Sequence, residues 1–303
     1  MGDFMDKLII KEIKELCNSF DKANTTFEKE QIVLAINYLK YVYNNDQDID
    51  ILFHDVHEHD NLFYYDHIKY VLDNKEKKND FMKEYNSFFQ ENISEVDEQN
   101  RFSTHKLTSL NKDDSKKIIE SFLKNISTSM YHFYQKMISD GRIVFSTLNE
   151  TIFTSLDNSN TIIFVQELDN IRDILIFIHE LSHAYYYYIN NVKLHNRDEL
   201  TNELKEEIPT KVMEMKFINY LQKKHLGNSG IANDLFDYLM FKADQKRYSF
   251  NGMKYLLGSK IAINLKDSDF NVEEFFQYVY DENVFDLINE NNLEEKKGKV
   301  LVK

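Results

Sequence analysis

The sequence predicts a mainly α protein that carries one small β-sheet beside a central helix. Three observations point there. Only 7 glycines and 1 proline occur in 303 residues, which favours long helices over elaborate loops. Between Ile171 and Ile189 the apolar residues Ile171, Ile174, Leu175, Ile178, Leu181, Tyr185 and Tyr188 recur with the period of a helix. Just before it, Thr161-Ile162-Ile163-Phe164-Val165 is a β-branched run of strand length.

Residues 1 to 140 read as successive helices, an N-terminal helical region with turns at Asn44-Asn45-Asp46 and around Asp97 to Ser103. Asp140-Gly141-Arg142 breaks that pattern and opens a second region, residues 141 to 303. Strands are expected at Ile143 to Ser146 and at Thr151 to Ser155, and Asp157-Asn158-Ser159-Asn160 turns the chain into the strand at Thr161. From Asn170 the pattern is helical to the end, with breaks near Gly227 to Gly230 and Lys266 to Asp269. No internal repeat or low-complexity linker interrupts it.

Composition narrows the function. A net charge of −14 repels phosphate, which argues against nucleic-acid and anionic-membrane partners. No apolar run approaches the ~20 residues needed to span a bilayer. The N-terminus lacks a basic stretch leading into an apolar core, so no secretory signal is evident. A single cysteine, Cys17, excludes an internal disulfide and fits a reducing, cytoplasmic location. Its place in an amphipathic helix suggests ordinary packing. The cluster His54, His57, His59 and His67, interleaved with acids, matches no metal-site spacing and reads as a polar surface turn.

The central helix carries the chemistry: His179-Glu180-Leu181-Ser182-His183 is an H-E-x-x-H sequence. Residues four apart share a helix face, so both imidazoles can bind one metal ion. Glu180, beside the first histidine, is placed to take a proton from a metal-bound water. A strand leading into such a helix is the arrangement in which zinc peptidases set their substrate-binding edge.

A catalytic zinc takes a third protein ligand and leaves one position for water. The metzincin pattern is absent, because Tyr186 and Ile189 stand where it requires glycine and histidine. The acidic run Glu199, Glu203, Glu206, Glu207 offers a carboxylate from a second helix instead. Glu203 and Glu207, 20 and 24 residues beyond His183, are the candidates.

With those residues in view, His179-Glu-Leu-Ser-His183-Ala184-Tyr185 followed by Glu207-Ile208-Pro209-Thr210-Lys-Val-Met-Glu214 resembles the M3 family of zinc oligopeptidases. The resemblance covers mainly residues 160 to 262. It implies a zincin-type, gluzincin-like catalytic domain with Zn²⁺ on His179, His183 and Glu207, and it favours Glu207 over Glu203. It also implies that Glu214 orients a ligand. Ser182 departs from the family's usual glycine. Tyr248 and Tyr255 have the separation of a tyrosine pair that faces the scissile carbonyl in that family, which makes both candidate oxyanion donors. The histidine expected a few residues before the first tyrosine is missing, since Ala243-Asp244-Gln245-Lys246 stands there. The tyrosines from Tyr185 to Tyr188 read as packing and pocket lining.

The expected activity is hydrolysis of short peptides by a zinc-bound water with Glu180 as general base. The rival readings are a zinc-binding regulatory protein and a peptidase dedicated to one protein or leader peptide. The M3 enzymes are much longer and enclose a channel. The length restriction on substrates is therefore either relaxed here or supplied by a partner or second subunit, which leaves a homo-oligomer open.

Overall fold

The computed structural model of the protein describes residues 2–45, 75–87, 110–145, 151–157, 160–192, 199–224, 250–265 and 268–288. Over these residues the chain is mainly helical with one small sheet. The helices are α1 (Gly2–Phe20), α2 (Thr26–Asn45), α3 (Lys75–Glu84), α4 (Lys112–Ile126) and α5 (Thr128–Ser139). Strands β1 (Ile143–Phe145), β2 (Ile152–Asp157) and β3 (Asn160–Val165) follow. After them come α6 (Ile171–Asn190), α7 (Glu199–Lys224), α8 (Phe250–Leu265), α9 (Val272–Asp281) and α10 (Val284–Ile288).

Local chemistry sets many of these boundaries. Asn111 accepts from Asp114 N and caps α4, while Ser127 ends α4 and caps α5 by accepting from Met130 N. Gly141, at φ 65°, makes the left-handed turn that releases the chain from α5 into β1. Asn170 caps α6 by accepting from Asp173 N. Asp173 in turn accepts from Asp169 N, Asn170 Nδ2 and Gln166 Nε2, at 3.1, 2.7 and 3.1 Å. This knot fixes the angle at which the strand hands over to the helix. Asn191 closes α6 in the left-handed region at φ 46°.

The sheet order is β1-β3-β2, with β1 parallel and β2 antiparallel to β3. Period-two alternation splits its faces between two cores. Val144, Ile162 and Phe164 face the smaller cluster with Ile9, Ile13, Cys17 and Phe20 of α1 and Val33 and Ile36 of α2. Ile163 and Val165 face the larger one, built on α4 to α10, which crosses the boundary at residue 140 without interruption. Cys17 is an ordinary packing residue of the smaller cluster.

The strand that leads into α6, β3, is the inner strand, hydrogen-bonded to a neighbour on each side. β1 pairs with its second half, Ile163 to Val165, and the outer positions among the described strands belong to β1 and β2. The His54, His57, His59 and His67 cluster lies outside the described residues. So do Asp46, the Asp97 to Ser103 turn, Ser146, Asn158 and Ser159, and the Gly227 to Gly230 break.

Candidate metal centre

His179 and His183 sit one turn apart on α6, facing α7 across the larger core. Their ring planes are nearly perpendicular, with centroids 4.8 Å apart, and their Nε2 atoms approach to 3.2 Å. Glu207 of α7 completes the group. Its Oε1 lies 3.5 Å from His183 Nε2 and its Oε2 lies 3.9 Å from His179 Nε2. A ligand atom from each of the three residues falls within a 4.8 Å set. Two nitrogens bound to one tetrahedral zinc stand about 3.3 Å apart at ordinary bond lengths. The donor set therefore has the size and the N, N, O chemistry of a zinc site. Glu207 Oε2 supplies a further sign of fit: it is buried and makes no hydrogen bond. An unsatisfied buried carboxylate oxygen is costly, and a cation between the imidazoles would satisfy it.

The surroundings hold these side chains in place. His179 Nδ1 is 2.6 Å from Glu214 Oε1, and Lys211 Nζ donates to both oxygens of Glu214 at 2.9 Å. A carboxylate on the far nitrogen fixes the ring's orientation and tautomer, leaving Nε2 turned to the site. On the other imidazole, His183 Nδ1 lies 3.9 Å from Glu206 Oε1. Ser182 is fully buried and donates to Ile178 O at 2.7 Å, so a small side chain is accommodated without an orphan hydroxyl.

Burial opposes every charge in this centre, and the neighbours decide the outcome. For His183 burial is outweighed by the carboxylates of Glu206 and Glu207, which lift its pKa to about 9. Burial pushes Glu206 up to about 7, against the pull of His183 and Lys254. Glu207 is buried too, yet Lys254, His183 and His179 hold it well below the usual carboxylate range. Burial likewise works against Glu214, but Lys211 and the bond from His179 keep it low.

Glu180 is partly buried, with Oε1 4.0 Å from His179 Nε2, at the rim of the same group. Glu203 points elsewhere: its Oε2 lies 3.3 Å from Lys78 Nζ and 3.7 Å from Lys254 Nζ, and it is not among the clustered ligand atoms. Tyr255 packs edge-on to His179, with ring centroids 6.3 Å apart. The ammonium groups of Lys211 and Lys254 lie over its ring at 4.7 and 5.4 Å. Burial, and then the charge of Glu207, keep its phenol protonated far above neutrality. Tyr248 lies outside the described residues. Along α6, Tyr185 and Tyr186 are buried, Tyr185 meeting Ser129 Oγ at 2.8 Å, whereas Tyr188 is 44% exposed.

Sequence reasoning missed Lys254, Lys211 and Gly258, and it named Glu206 in the acidic run without giving it a role. Lys211 carried a signal, because it stands four residues after Glu207 and three before Glu214 on one helix. Lys254 and Gly258 carried none, since their roles depend on how closely α8 approaches α7. A Cβ on Gly258 would meet Glu207 O at 3.1 Å and Lys211 Cγ at 3.0 Å, so glycine is what permits that approach.

Comparison with protein-family models, with curated proteins and with solved structures finds no match to this chain.

Proposed function

We propose that the protein is a zinc metallopeptidase of the zincin type that hydrolyses peptide bonds of short peptides. The reading rests above all on the buried His179–His183–Glu207 group, sized for one ion and containing an unpartnered carboxylate oxygen. The resemblance of residues 160 to 262 to the M3 oligopeptidases supports it from the sequence side. Zinc held there supplies a Lewis acid that polarises a peptide carbonyl and makes water acidic enough to react near neutral pH.

The remaining chemistry belongs to the chain's own side chains. Glu180, on the rim beside His179, takes the proton from the attacking water and gives it to the departing amine, so the carboxylate is regenerated. Glu214 keeps His179 Nε2 aimed at the site. Tyr255 retains its phenolic proton and, from its place beside His179, donates to the oxygen that gains charge as the carbonyl is attacked. Tyr248 is proposed as a second donor on sequence grounds.

The test is mass-spectrometric digestion of a diverse library of short peptides by the wild type and by Glu180→Gln. The expected result is cleavage by the wild type, with zinc retained but turnover reduced by about 10²-fold or more in the variant. Full activity in Glu180→Gln would exclude this mechanism. Zinc binding without cleavage by the wild type would turn the reading to a regulatory role or one dedicated substrate.

A further inference from the structure

Lys254 lies in the middle of the site without being a metal ligand. Its Nζ is 3.0 Å from Glu207 Oε1 and 3.7 Å from Glu203 Oε2. Glu203 is anchored in turn by Lys78 of α3, 3.3 Å away and itself buried. Charges therefore alternate in a chain, Lys78, Glu203, Lys254, Glu207, running from α3 through α7 and α8 to the candidate ligand. Lys254 is held from both ends and lies over the ring of its neighbour Tyr255.

The two oxygens of Glu207 differ accordingly. Oε1 faces the ammonium at 3.0 Å and also lies 3.5 Å from His183 Nε2, while Oε2 is buried, makes no hydrogen bond and looks toward His179 Nε2 at 3.9 Å. We propose that Lys254 is a positioning residue that reserves Glu207 Oε1, so that Glu207 offers a metal ion Oε2 alone. This inference rests on the zinc-site reading above. A metal ion bound through one oxygen of Glu207 would keep one coordination position for water. A carboxylate free to bind through both oxygens would occupy two positions, and a catalytic site needs one left for water. The same chain explains why Glu203, one turn before Glu207, is not offered: its carboxylate is shared between two lysines.

Cobalt(II) provides a readout independent of turnover, because its visible d–d bands weaken severalfold once the ion goes beyond tetrahedral coordination. The experiment loads one equivalent of cobalt(II) into the parent, Lys254→Met and Lys254→Arg. The parent should show intense bands, the methionine variant should lose at least about half of that intensity, and arginine, which keeps the cation, should restore it. A Lys254→Met spectrum that superimposes on the parent's with cobalt bound would overturn the proposal. A change in the arginine variant as large as in the methionine one would also overturn it. Should Lys254→Met fail to fold, zinc-edge X-ray absorption on the unsubstituted protein decides. Carboxylate ligation through one oxygen supports the proposal and ligation through both refutes it. A parent that binds no cobalt would remove the zinc-site reading itself, a different failure from an unchanged spectrum.

Discussion

Where α1 and α2 pack on the sheet, the enclosed cluster is hydrocarbon and one thiol: Ile9, Ile13, Cys17, Phe20, Val33 and Ile36 against Val144, Ile162 and Phe164. Between α6, α7 and α8 the interior is crowded with charge, with Glu206, Glu207, Glu214, Lys211 and His183 all buried and Lys254 nearly so. Burying an ion costs several kcal/mol, even after relaxation, unless partners of opposite sign compensate it. The polar centre meets that requirement by alternation, each carboxylate facing an ammonium or an imidazole. Apolar side chains of similar volume would hold three helices together at least as well. The first interior is thus explained by stability, whereas for the second the proposed metal site is what gives the buried charges a role.

That contrast can be broken from either side. Phe20 is almost wholly buried in the smaller cluster, so Phe20→Ala should cost about 3–5 kcal/mol of unfolding free energy in denaturant titrations. Its effect on zinc affinity should stay within about twofold, as for sites that share no partner. Glu214→Gln leaves the buried Lys211 ammonium without its counter-charge and should lower stability and metal affinity together. The amide still accepts from His179 but carries no charge, and competition with a chromophoric chelator should show zinc affinity lowered about 10–100-fold. Equal losses of affinity in the two variants would erase the distinction between the interiors.

Gly258→Ala sharpens the contrast with the smallest effect. Alanine gains about 1 kcal/mol of helix propensity in α8 and gives back a similar amount where its methyl meets Glu207 O. Thermal unfolding should therefore barely change while zinc affinity falls severalfold, because the clash falls on the backbone of a ligand. A lower melting temperature with unaltered zinc affinity would mean that Gly258 serves packing alone.

How far the sequence discloses all this depends on the range of the interactions. His179, Glu180 and His183 are legible because a helix places residues four apart on one face, whatever the rest of the chain does. Glu207 was one of two candidates that spacing offered on a second helix, and the family resemblance pointed to it and to Glu214; the structure brings both to the histidines. The choice between Glu203 and Glu207 turns on Lys78, which belongs to a helix far away in sequence, so spacing alone left it open. Lys254 was hidden for a similar reason. Buried positions in α8 run from Phe250 and Met253 through Leu256, Leu257, Ile261 and Ala262 to Leu265, so apolar residues wrap around the helix and mark no single face toward α7. The inner position of β3 was hidden too, because strand pairing is non-local and a β-branched run looks alike at an edge and at a centre.

The claim that the buried charges of α6, α7 and α8 exist to hold a metal ion is tested most directly by titrating the metal-free protein with zinc, alongside Glu207→Gln. The predicted result is one zinc per chain for the parent and an affinity at least about 10²-fold weaker for the variant, which loses a ligand. A parent that takes up no zinc, or a variant that binds it as tightly as the parent, would contradict the claim.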